Sequence, residues 1–147
     1  MPQELLALAD AEGIIVLTWD FKPPVEALYL SIKGKHFIAI AYSVLADKRY
    51  LRCVLAEELG HHFTTAWDCR PKKILRYKDR LRISKEEYKA RKWAAQFLMP
   101  FHELEKAIRN GIHEVWDLAD HFCVTEDMVK FRLELPDIAP LRNIFVK

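Results

Sequence analysis

Leu55-Ala56-Glu57-Glu58-Leu59-Gly60-His61-His62 is the stretch on which the reading of this chain turns. Apolar residues recur around it at helical spacing (Leu51, Val54, Leu55, Leu59, Phe63), and Asp47 stands where an N-cap belongs, so a helix is expected from Arg49 to Thr64. Residues four apart share one face of a helix, so Glu57 and His61 project together with Glu58 beside them. A zinc peptidase helix uses this arrangement as His-Glu-x-x-His, with two metal ligands one turn apart and the intervening Glu as general base toward an activated water. Here Glu58-Leu59-Gly60-His61 supplies the second part of the pattern, and Glu57 stands in place of the first His. A carboxylate is an acceptable zinc ligand, at about 2.0–2.2 Å. Gly60 costs a helix interior roughly 1 kcal/mol relative to Ala, which suits a place where another backbone or a substrate comes close. Taken alone, Glu-Glu-x-x-His is equally the pattern of a charged, solvated helix face.

A metal held by two residues of one helix needs a third ligand from elsewhere. Downstream, Ala90, Trp93, Ala94, Phe97 and Leu98 form an apolar stripe at helical spacing, and Glu87 falls on the same stripe, three residues before Ala90. A carboxylate facing a core requires a partner, and a metal is one. Ser84 and Glu87 also match a capping box, which gives Glu87 a purely structural role at the start of a helix running to Leu98.

Upstream, Pro2 to Ala11 reads as a helix ending near Gly13, and Ile14-Ile15-Val16-Leu17-Thr18-Trp19 as a strand broken by Pro23-Pro24. Ala27 to Ile32 and His36 to Ala41 flank Lys33-Gly34-Lys35, a hairpin signal. A small antiparallel sheet of about three strands follows, with His36–Ala41 as the strand that would pair with an extended peptide. Ala66 to Ile83 reads as a long basic connection, and shorter helices are expected at 102–109, 115–122 and 126–135 before a tail marked by Pro136 and Pro140. Strands first and helices afterwards is an α+β order.

Hydrophobic residues at 51% and charged residues at 30% describe a folded chain rather than a disordered one. No apolar run is long enough to span a bilayer, and the acidic first ten residues lack the basic start of a secretory signal, so a cytoplasmic location is expected. Cys53, Cys69 and Cys123 are too scattered for a disulfide framework. Cys53 and Cys123 sit among apolar residues and read as core, while Cys69 falls in a loop-like context. Charge is uneven: residues 70–92 hold eleven Lys/Arg against three Asp/Glu, and residues 113–137 hold seven Asp/Glu against two Lys/Arg. A basic face for a partner and two solvated surfaces that offset each other both fit this asymmetry. His62 lies about 100° around the helix from His61. His36, His113 and His121 lack ligand spacing, and Tyr42 and Tyr88 read as core.

Together, Leu55-Ala56-Glu57-Glu58-Leu59-Gly60-His61 and Glu87-x-x-Ala90-Arg91-x-Trp93-Ala94-Ala95-x-Phe97-Leu98-Met99-Pro100 resemble the L-A-H-E-L-G-H and E-x-x-A-N-x-F-A-A-x-L-L-M-P motifs of the ImmA/IrrE metallopeptidases. The resemblance runs from about Ala27 to Leu135. It implies a small zincin-like (gluzincin-like) fold in which the sheet precedes a metal-site helix, a second ligand helix and C-terminal helices. Residues 1–100 would form the peptidase core, with 101–147 as a helical segment packed on it. Carried over by position, Glu58 would be the general base, and Glu57, His61 and Glu87 would hold zinc. Two departures stand out. Glu57 replaces a His, and Arg91 replaces an Asn or Asp and lies one turn after Glu87, where it could pair with Glu57 or Glu87 in the absence of metal. The family implies a regulatory endopeptidase acting on an XRE-type helix-turn-helix repressor of a prophage or mobile element. The alternative is a degenerate, non-proteolytic relative that binds a repressor or another protein. Val115 to Leu133 itself has helix-turn-helix spacing, but Glu126 and Asp127 in the first turn of its second helix argue against contact with phosphates, so nucleic acid is not expected as a direct ligand.

Overall fold

The computed structural model describes residues 2–64 and 77–145, with side chains of 77–84 and of Phe145 left aside. The expectations for Cys69 and for most of the long basic connection therefore lie outside the described residues. Helix α1 (Gln3–Ala11) leads through Gly13, whose φ of +71° favours glycine, into β1 (Ile14–Trp19). β2 (Ala27–Ile32) and β3 (Lys35–Ala41) form the expected hairpin. Lys33 and Gly34 both have positive φ, as a two-residue type I′ turn requires.

The sheet is mixed rather than wholly antiparallel. β3 is central, antiparallel to β2 and parallel to β1, in the order β1-β3-β2. The backbone groups of His36–Ala41 thus face strands on both sides, and the edges available to an added strand are β1 and β2. The register places Ile14, Val16, Tyr29, Ile38 and Ile40 on one face, where they join the core. Ile15, Trp19 and Ile32, of opposite parity, are about half exposed.

Helix α2 (Lys48–Thr64) begins as expected: the Asp47 carboxylate accepts from the backbone N–H of Arg49 and Tyr50 at 3.0 and 3.1 Å. Its buried residues include Leu51, Leu55, Ala56 and Leu59. Each fully buried Leu contributes roughly 1.5–3 kcal/mol. Arg52 pairs with Glu4 of α1.

Helix α3 (Tyr77–Leu98) starts well before Ser84, which corrects the capping-box reading: Glu87 lies in mid-helix, where no backbone N–H needs capping. Of its expected stripe, Ala90, Ala94 and Leu98 are buried, and Trp93 and Phe97 are partly buried against the core. α2 and α3 meet at Gly60. A Cβ there would lie 2.3 Å from the carbonyl oxygen of Ala90 and 2.9 Å from its Cα, so the two backbones touch where a side chain would otherwise stand.

α4 (Phe101–Arg109), α5 (Val115–Phe122) and α6 (Glu126–Glu134) match the helical patterns in the sequence. Cys123, half-buried with φ +55°, turns α5 into α6, and Thr125 caps α6 by accepting from Met128 N–H at 3.2 Å. α6 buries Met128, Val129 and Arg132, so its apolar face is already used in the core. Arg49 of α2 pairs with Asp120 of α5. The tail holds a further helix, α7 (Ala139–Phe145), which the prolines concealed: Pro140 is its second residue, where the missing N–H is not needed. Core residues run from Leu5 in α1 to Leu141 in α7. Among the described residues, no helix is long and apolar enough to cross a membrane.

Arg132 is 1% exposed. Its Nε donates to the Met99 carbonyl at 2.8 Å, and its two terminal nitrogens grip Asp137 at 2.7 and 2.9 Å. That fork holds the Asp137 carboxyl below its ordinary value of 3.8.

Two outcomes are expected. Gly60→Ala gains helix propensity but forces α2 and α3 apart, and should lower stability by about 1–3 kcal/mol in chemical denaturation. A stability gain would mean that the backbones do not touch. Asp137→Asn should cost about 1–2 kcal/mol at neutral pH, less than for a fully buried pair because Asp137 is 37% exposed. A depressed folded-state pKa gives stability that is present above the unfolded value and lost as pH falls through the folded one, so the gap between parent and variant should close on acidification.

Candidate active site

Around the Gly60–Ala90 contact the two helices step in opposite directions, and a charged pair spans them on either side. On one side, Arg91 Nε donates to Glu57 Oε1 at 2.9 Å. On the other, His61 Nε2 lies 3.3 Å from Glu87 Oε1. Glu58, between Glu57 and His61 along the helix, is approached by a strand: the backbone of Tyr29 in β2 favours its charged form. The four residues expected at the site from sequence are thus drawn from two helices and set against the edge of the sheet nearest α2.

The electrostatics are those of crowded acids. Burial pushes the Glu58 carboxyl up to about 7, with His61 and the Tyr29 backbone opposing the rise and Glu87 and Glu57 adding to it. Burial also raises Glu57, against the pull of Arg91. At His61, burial works against the charged form, but the hydrogen bond to Glu87 and the charges of Glu58, Glu87 and Glu57 outweigh it, and the imidazole is raised. The three carboxylates and the imidazole are side-chain types that can hold a cation, whereas the guanidinium is itself one. Among the described residues, however, no group of three or more His, Cys, Asp or Glu side chains stands ready to hold a metal. His61 and Glu87 meet, while Glu57 is turned to Arg91. Glu87 is also more open than the sequence suggested, with its side chain 47% exposed.

Beside the Glu57–Arg91 pair lies a cleft of about 280 Å³ between α2, α3 and the start of α6, whose walls include Val54, Cys53, Thr125, Asp127 and Met128. Cys53 is buried there, as expected. Tyr42 and Tyr88 are 57% and 49% exposed and are not core residues; Tyr88 instead meets the edge of Phe131.

Sequence reasoning missed a second polar group. Tyr29 Oη lies 3.0 Å from His36 Nδ1 and 2.7 Å from His62 Nδ1, and His62 Nε2 lies 3.2 Å from Glu12 Oε1. A phenol has one proton, so Tyr29 donates to one imidazole and accepts from the other. A neutral His62 that gives its Nε2–H to Glu12 leaves Nδ1 to accept from Tyr29, and His36 then donates to the phenol oxygen. The signal was the hairpin itself: a two-residue turn puts Ser31 opposite His36, which sets Tyr29 and His36 diagonally on one face. His62 faces this group, while His61 faces Glu87.

A family model described as Peptidase_M78, the IrrE N-terminal-like domain, matches residues 9–134. No curated protein matches the chain.

Proposed function

The chain belongs to the Peptidase_M78 (IrrE N-terminal-like) family, a family of metallopeptidase domains, and on that footing we propose that it is a zinc-dependent endopeptidase. Its site is His61 and Glu87, completed by Glu57, with Glu58 as general base. The observation that most supports this reading is the meeting of His61 and Glu87 across two helices at 3.3 Å, with Glu58 one turn or less away on the same helix as His61. When bound, the metal supplies a Lewis acid for the scissile carbonyl and makes the attacking water more acidic. The work of the chain is then to place groups and move a proton. A Glu58 carboxylate oxygen takes the proton of the attacking water and returns it to the leaving amine nitrogen. The backbone of Tyr29 in β2 favours the charged form of that carboxylate. The free edge of β2, beside Glu58, offers the backbone groups along which an extended peptide can lie.

The substrate in this reading is a protein, a helix-turn-helix repressor of XRE type from a prophage or mobile element, cut in the cytoplasm. The family suggests it, and the acidic first turn of α6 and the engagement of its apolar face in the core direct attention to a protein partner rather than DNA. A second reading is supported by the Arg91–Glu57 bond: a relative that binds its repressor without cutting it.

Zinc retained near one equivalent after loading and desalting, and lost in His61→Ala and Glu87→Ala, is the expected result of elemental analysis. A parent that keeps no zinc would sink the peptidase reading and turn the search toward a binding partner. Glu58→Gln should keep the metal but lose about 10²-fold or more in the rate of repressor cleavage. Equal rates in parent and variant would remove Glu58 from the chemistry.

A further inference from the structure

We propose that Arg91 is an internal cation that competes with the metal for Glu57, so that loading the site requires its displacement toward the neighbouring cleft. This inference rests on the metal-site reading above and concerns how that site fills. Glu57 sits four residues before His61 and so shares its helix face, yet its Oε1 is engaged by Arg91 Nε at 2.9 Å. Its side chain is 23% exposed and that of Arg91 is 49% exposed, so the bond lies at the mouth of the site and is not locked within it. The guanidinium also stands 5.7 Å from the centre of the Phe131 ring.

A divalent cation that draws on Glu57, His61 and Glu87 would lie close to this guanidinium, and two positive charges against one carboxylate repel at short range. Arg91 thus supplies part of the charge a metal would otherwise bring, at the position where the third donor must turn inward. The cleft of about 280 Å³ provides the exit: Arg91 and Glu57 are in its wall, and so is Asp127, at the start of α6. An arginine released from Glu57 can move along this wall and find a second carboxylate in Asp127 without entering the core. Metal entry is then an exchange of ion partners, with Glu57 passing from guanidinium to metal and Arg91 from Glu57 to Asp127.

The experiment is zinc titration of the full chain in competition with a chromogenic chelator, comparing the parent, Arg91→Ala, Arg91→Gln, Glu57→Gln and the Arg91→Ala/Glu57→Gln double variant, with His61→Ala as the site control. Removing the guanidinium should tighten zinc by about tenfold or more, and the gain should vanish in the Glu57→Gln background because no carboxylate is left to release. Equal or weaker binding in both arginine variants, with zinc still lost in His61→Ala, would overturn the role of Arg91 and leave the metal site standing. Binding that ignores His61→Ala, or no zinc in any variant, would overturn the metal site and this inference together.

Discussion

The closeness of two backbones at Gly60 and Ala90 is the constraint on which the rest depends. Helix axes normally stay 8–10 Å apart because side chains stand between them. Here a glycine removes the side chain on one helix and an alanine presents its backbone on the other. The short reach of a histidine and a glutamate is then enough for His61 to meet Glu87, and the longer arginine spans to Glu57. Spacing and charge are therefore linked: the same contact that packs the core sets the separation of the ionisable groups. The helical cost of Gly60 is the price of that proximity.

That constraint also explains how acids are tolerated so near a core. Glu57 and Glu87 each have a partner on the other helix, Arg91 for Glu57 and His61 for Glu87, and the backbone of Tyr29 in β2 favours the charged form of Glu58. The partners come from α3, β2 and α2, so the cluster is balanced only when all three elements are assembled. Arg132 follows the same logic elsewhere, with a carbonyl from one helix end and a carboxylate from a short turn. Buried charge in this fold is matched across elements, which ties the helices to one another as well as to the sheet.

Much of this was legible in the residues. The face shared by Glu57 and His61, the Asp47 cap and the apolar stripe from Ala90 to Leu98 follow from helical period and capping chemistry, which depend on near neighbours in sequence. Gly60 signalled a close approach, although not by what. The partner strand of β1 was beyond reach, because local pattern carries no information about which of two later strands a first strand joins. The start of α3 was misplaced because Ser84 and Glu87 have capping chemistry whether or not a helix already runs through them. α7 was hidden by prolines that a first turn accommodates. The His36–Tyr29–His62–Glu12 group depends on three elements meeting, and only its Tyr29–His36 part is written in the hairpin.

The mixed sheet also sets the order in which its parts can profitably assemble. β2 and β3 close through a two-residue turn, so their pairing sacrifices little chain freedom. β1 joins β3 in parallel, with Ile14 opposite His36 across 22 residues of chain (14 to 36), and gains nothing until that longer loop is closed. The hairpin is thus a template and β1 a late addition. Because β2 carries the Tyr29 backbone that favours the charged form of Glu58, the side of the sheet that supports the site belongs to the local, early-forming half, and the slower parallel edge lies on the far side of β3 from it.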